Sequence, residues 1–226
     1  MTFYKKIPFA FVVLFFICAN LPANNKSQQF QYFSTIKDTA INPLVEFSTE
    51  WSERQYLQCN TAESASYLSK EEKKVIWILN MIRVNPQFFL NSVLLNPKCN
   101  EYKTPTKRNH YFNSLISDLE KAKPIYALLS PDADLFKGAY CHAYQSGLKG
   151  RLGHSRAGEG CEKDFYGECC DYGNTQALDI LLSLLIDEDV PSLGHRKICL
   201  SDEYTLIAVS IQPHKKYGTN TVLDFK

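Results

Sequence analysis

The chain has almost no net charge. Its 25 Lys and Arg stand against 24 Asp and Glu over 226 residues, a formal +1 with histidine neutral. No basic run longer than two residues occurs anywhere. A nucleic-acid surface needs a basic patch, so no nucleic-acid partner is expected. The chain also lacks an apolar run of the roughly 20 residues that a membrane helix needs. The longest, Ile7 to Ile17, is too short. No Gly-x-Ser-x-Gly elbow is present, which removes the usual serine-hydrolase signature. Internal repeats and low-complexity tracts are missing as well. The cysteines are not arranged as the two short pairs of a zinc ribbon.

The short apolar run has its own meaning. Lys5 and Lys6 precede it, and Leu21-Pro22-Ala23 offers a small residue at a cleavage edge. Residues 1–23 therefore read as a signal peptide, and the mature protein as secreted or extracytoplasmic, with no transmembrane segment left. A lipid anchor on Cys18 is the lesser alternative, because "FFIC" lacks the small residue expected before a lipidated cysteine. Lys5 and Lys6 leave with the signal, so the mature chain carries one more acidic than basic side chain. Asn25-Lys26-Ser27 is a glycosylation sequon if the source is eukaryotic.

Seven cysteines remain after the signal: Cys59, Cys99, Cys141, Cys161, Cys169, Cys170 and Cys199. In an exported protein these favour disulfides. Two or three bonds are expected, with at least one thiol left over because seven is odd.

Residues 24–68 are polar with weak periodicity and read as an N-terminal extension. Ser69 and Glu72 then form a capping box, and Val75, Ile78, Leu79 and Ile82 recur at helical spacing until Pro86 stops the helix near Val84. Residues 91 to about 108 read as a loop, and "YFNSLISDLEKA" as a short amphipathic helix. Ser130-Pro131 reads as the cap and first residue of the next helix, which ends at Gly147 or Gly150. From Asn174, a candidate cap, Leu178, Leu181, Leu182 and Leu185 mark a helix with one buried face. "TLIAVSI" and "NTVLDF" read as strands joined by a turn at Tyr217-Gly218. Helices first and a terminal hairpin last predict an α+β domain.

Three polar residues stand directly after glycines: His154 in "RLGHS", Glu168 in "YGECC" and His195 in "LGHRK". Two imidazoles and a carboxylate can hold a divalent metal, zinc above all, or a polar ligand. Their bland alternatives are loop histidines and a glutamate that only accepts backbone hydrogen bonds. His142 lies on a buried stripe and reads as a hydrogen-bonded core residue, and Arg196 as solvated or as a partner of the acids at 187–189.

From Ser69 onward the ordered set "LNMIR", "LSPDADLFKGAYCHA", "RLGHS", "YGECC", "GHRKICL", "LIAVSIQ" and "LDF" resembles the CAP superfamily of cysteine-rich secretory, antigen 5 and pathogenesis-related proteins. "LLIDEDVPSLGHR" is closest in style to its bacterial members. The resemblance implies a CAP-like domain over 69–226, built as a three-layer α-β-α sandwich with a small antiparallel sheet. It places His154, Glu168 and His195 in one cleft, with His154 and His195 as the metal ligands if zinc is held. It gives Asn80 and Arg83 the structural role of tying the first helix to its neighbours. The chain departs from the pattern where the family's helix glutamate would stand, and Asp187 is the favoured replacement. It also reads Gly-Glu-Cys in place of Gly-Glu-Asn. The resemblance implies a module that binds a lipid, glycan or protein rather than a catalyst. A zinc-dependent hydrolase using the two-histidine, one-carboxylate cleft is the alternative.

Overall fold

A computed structural model describes residues 41–101 and 109–226. Residues 1–23, read from sequence as a signal peptide, with Cys18, the Asn25-Lys26-Ser27 sequence and the stretch 102–108 lie outside the described residues. From Asn42 to Lys226 the chain forms one compact unit. Residues 42–68, read from sequence as part of an extension, contribute Leu44, Trp51, Tyr56, Cys59 and Ala62 to its principal core. They are held by polar stitches as well: Trp77 Nε1 donates to the Tyr56 carbonyl at 2.8 Å, and Asn42 Nδ2 donates to the Trp51 carbonyl at 2.6 Å.

Helix α1, Lys70–Val84, starts at the capping box. The Ser69 hydroxyl accepts from the Glu72 amide while the Glu72 carboxylate accepts from the Ser69 amide. Helix α2, His110–Lys121, is capped by Asn109. Ser130–Pro131 is strand β1 rather than a helix start. Asp132 is the cap of helix α3, Ala133–Lys149, accepting from the amides of Asp134 and Leu135. Asp132 displaces Ser130 because its carboxylate reaches two amides, while Ser130 is committed to pairing with Leu206. Strand β2, Gly167–Tyr172, precedes helix α4, Ala177–Ile186. Its cap is Gln176, with no side-chain bond; Asn174 instead donates to Asp171 at 2.9 Å. A short helix α5, Gly194–Cys199, leads to strands β3, Leu206–His214, and β4, Gly218–Phe225.

The fold is α+β in three layers. The sheet is mixed, in the order β1-β3-β4-β2, with β1 parallel to β3 and the other pairs antiparallel. Alternate strand residues face opposite sides. Cys170, Ala208 and Val222 pack against Leu135, Ala139 and Ala143 of α3. Cys169, Val209 and Leu223 join α1 and α4 in the larger core on the other face.

Asn80 and Arg83 tie α1 to its surroundings. Asn80 accepts from the Leu129 amide at 2.8 Å and donates to the Leu129 carbonyl at 3.0 Å. Arg83 is fully buried and donates to the carbonyls of Ala127, Cys199, Ser201 and Tyr204. Arg196 is buried rather than solvated. It donates to Leu185 and Ile186, the last carbonyls of α4, and pairs with Asp118 on α2 at 2.9 Å. Helix C-terminal carbonyls lack internal partners, so this guanidinium finishes α4 and joins it to α2.

Among the described residues one disulfide is present, Cys141–Cys161; the other five cysteines there are buried free thiols. That is fewer bonds than the cysteine count suggested. Burial among apolar side chains lets the remaining thiols act as small core residues.

Candidate functional site

His154, Glu168, His195 and Asp187 come together at one edge of β2. His154 lies in the irregular stretch after α3, where Gly153 adopts φ +86. A side chain at 153 would be strained in that conformation, so the glycine permits the turn that delivers His154. Gly167 serves a different need. A Cβ there would meet the Ile198 methyl at 3.0 Å and the Tyr204 hydroxyl at 3.1 Å. Gly194 has no such crowding and no left-handed backbone. The sharp bend before His195 is made instead by Asp187, Asp189 and Leu193, all with positive φ.

Asp187 does two jobs. It terminates α4 in the left-handed conformation, and its carboxylate caps α5. Oδ2 accepts from the His195 amide at 3.0 Å, and Oδ1 lies 2.7 Å from His195 Nδ1. The imidazole is thereby fixed with Nε2 outward. The equivalent bond for His154 is Nδ1 to Glu168 Oε1 at 2.9 Å. Among the described residues neither Nε2 has a hydrogen-bond partner. The two ring centres are 5.6 Å apart, with planes inclined by 41°. The His154 side chain is 54% exposed and that of His195 18%, so both open to solvent. The hydrogen bond that His154 donates to Glu168 raises the His154 pKa against the lowering effect of burial.

Beneath the histidines lies a buried charge cluster that the sequence did not reveal. Arg156 donates to Glu168 Oε2 through Nε and Nη2, and to both Asp224 oxygens at 2.7 Å. Its guanidinium also stacks 4.3 Å over the Phe165 ring. Burial pushes Glu168 upward, but the hydrogen bonds from His154 and Arg156 outweigh it and leave the carboxyl below its ordinary range. Asp224 goes the other way. Burial raises it to about 7 in spite of Arg156, which has two carboxylates to serve. Arg156 carried no signal of its own in "HSRAGEG". Asp224 did carry one, as the lone acid inside the apolar run of β4.

The His154 stretch is anchored at its other end. His142, on α3 and buried, places Nδ1 2.7 Å from Glu159 and Nε2 3.1 Å from the Gly153 carbonyl. The Cys141–Cys161 bond closes beside this pair. The Gly153 amide donates to the Tyr172 hydroxyl at 2.8 Å.

Ligand atoms of His142, Glu168 and Cys170 also lie within 4.8 Å of one another. They make a poor metal centre. Both His142 nitrogens are engaged, both Glu168 oxygens are engaged, and Arg156 already supplies the positive charge. The exposed pair His154 and His195 is the better donor set. Each has its Nδ1 held by a carboxylate, the arrangement that fixes tautomer and orientation in metal-binding histidines. Two imidazoles sharing one ion at about 2.0–2.1 Å per nitrogen have ring centres about 5–6 Å apart, which the observed separation fits.

A pocket of about 330 Å³ adjoins His195, lined also by Cys170, Tyr172, Ser183, Asp187 and Glu188. Two further cavities of about 530 Å³ each, sharing Ala122, Leu200 and Asp202, lie elsewhere and include neither site histidine. No protein-family model, curated protein or solved structure matches this chain.

Proposed function

We propose that this chain is an exported, CAP-like binding module whose cleft holds a divalent transition-metal ion, zinc by preference, on His154 and His195. One observation carries the proposal: two solvent-facing imidazoles stand side by side, each locked through Nδ1 by a buried carboxylate. The ion would supply a Lewis-acid contact for an oxygen or nitrogen atom of a lipid, glycan or protein ligand. This chain's own residues orient the donors, and the pocket beside His195 offers space for the rest of the ligand. Export is supported by the Cys141–Cys161 disulfide. Among the described residues no helix is long and apolar enough to cross a membrane.

The donor count favours binding over hydrolysis. Catalytic zinc sites use three protein ligands and keep one position for water. Here two nitrogens are available, and both Glu168 oxygens are already committed to His154 and Arg156. Calorimetric zinc titration tests the proposal. Wild type should bind at neutral pH and weaken below about pH 6, because protonation removes the imidazole lone pair. His154→Ala and His195→Ala should each lose binding while keeping the fold, and His214→Ala should bind as wild type. Equal zinc affinity in all four proteins would refute it.

A further inference from the structure

Two of the five free cysteines lie where strand β2 and helix α5 pack together. Cys169 follows Glu168 on β2, and Cys199 ends α5, four residues after His195. Helix α5 packs on β2. The Cys169 Sγ lies 3.7 Å from the His195 carbonyl oxygen. In a helix that carbonyl points toward residue i+4, which here is Cys199. A sulfur beside it therefore sits at the turn that carries the second thiol. Both residues are fully buried in the principal core. Cys170 does not compete, because the strand alternates and its sulfur points to the opposite face, 3.7 Å from His154 Nδ1.

We propose that Cys169 and Cys199 form a redox site, a dithiol that a small-molecule disulfide of the glutathione class closes into an intramolecular bond joining the strand of Glu168 to the helix of His195. One thiolate of the pair attacks the small disulfide, breaking its S–S bond and releasing one thiol. The second cysteine then attacks the mixed disulfide, forming the Cys169–Cys199 bond and releasing the other thiol. The protein gives up two protons and two electrons, and the small disulfide takes up both. Both thiols are fully buried, so the closed structure keeps them from the small disulfide and exchange proceeds when α5 opens. Once formed, the bond lies in the core and is shielded from reductant. The proposal does not depend on the cation site.

The test uses the full mature chain, first reduced and then equilibrated with oxidised glutathione. The protein is unfolded in an alkylating agent and mapped by peptide mass spectrometry. A Cys169–Cys199 cross-link should appear beside Cys141–Cys161, with Cys59, Cys99 and Cys170 alkylated. Amide exchange across Gly194–Cys199 should slow by about tenfold in the oxidised form. Cys199→Ser should show the Cys141–Cys161 bond alone. Alkylation of Cys169 and Cys199 to the level of Cys59, once Cys141–Cys161 has formed, would overturn the proposal. So would a second bond that persists in Cys199→Ser.

Discussion

Replacing Asp171 by Asn should stabilise this protein at neutral pH and leave it unchanged in acid. Asp171 lies on β2 and is 3% exposed. Its Oδ1 accepts from Asn174, while Oδ2 is buried with no partner. Burial pushes its pKa from 3.8 to about 6, against hydrogen bonds from Ser183, Asn174 and the Tyr172 amide. The folded chain thus holds this proton more tightly than the unfolded chain. The group's favourable contribution is full below about pH 4 and is lost as pH rises through about 6. Above pH 7 the cost of the buried charge approaches 2.2 pKa units at 1.36 kcal/mol each, about 3 kcal/mol. Asparagine carries no such charge. It places an N–H₂ where Oδ2 lacks a partner, which costs about 1–2 kcal/mol. Asp171→Asn should therefore gain about 1–2 kcal/mol at pH 7.5 and nothing, or a small loss, at pH 4. Urea unfolding of both proteins at pH 4, 5, 6 and 7.5 gives the answer directly. A difference that does not change with pH, or a wild type that is more stable at pH 7.5, would refute the reasoning.

Further outcomes follow from the same structure. Arg156→Met strands Glu168 and Asp224 without their cation and should cost about 3–5 kcal/mol in denaturant unfolding at neutral pH; adding Asp224→Leu should recover part of it, and no recovery would count against the charge account. Cys141→Ser with Cys161→Ser removes a bond between cysteines 20 residues apart and should cost about 3 kcal/mol, with faster amide exchange around Gly153 and His154. Asn80→Ala leaves the buried amide of Leu129 without a partner, while its carbonyl keeps the Thr61 hydroxyl at 2.7 Å, and should cost about 1–3 kcal/mol, read as a lower urea midpoint.

Much of the architecture was written in local patterns. The Ser69–Glu72 box and the stripe from Val75 to Ile82 specify α1, and the leucines at 178, 181, 182 and 185 specify α4. The terminal hairpin follows from alternation and its Gly turn. Strand β2 escaped notice because Gly167 to Asp171 are all buried, so "GECCD" shows no alternation. The start of α3 was misplaced because Ser130-Pro131 and Asp132 offer rival caps, and only the pairing with β3 decides between them. Glycine punctuation was enough to single out His154, Glu168 and His195. It could not reveal Arg156, whose partners lie 12 and 68 residues away and which reads locally as a loop cation. The disulfide count failed for a related reason: a cysteine total carries no information about which sulfurs meet.

Asp187 makes the cleft mechanically asymmetric. Because one carboxylate both ends α4 and holds His195, that imidazole is geared to a helix buried almost throughout and moves only if the core moves. His154 rides on a stretch without regular structure, braced by the Glu168 contact, the bonds at Gly153 and one distant disulfide. The cleft is a vice with one fixed jaw and one sprung jaw. A ligand held there as proposed would be registered against the His195 side, while differences in ligand size and the entropy of ordering would be taken up on the His154 side. Sequence change between 150 and 166 should therefore retune what the cleft accepts, whereas change between 186 and 196 should act first on stability.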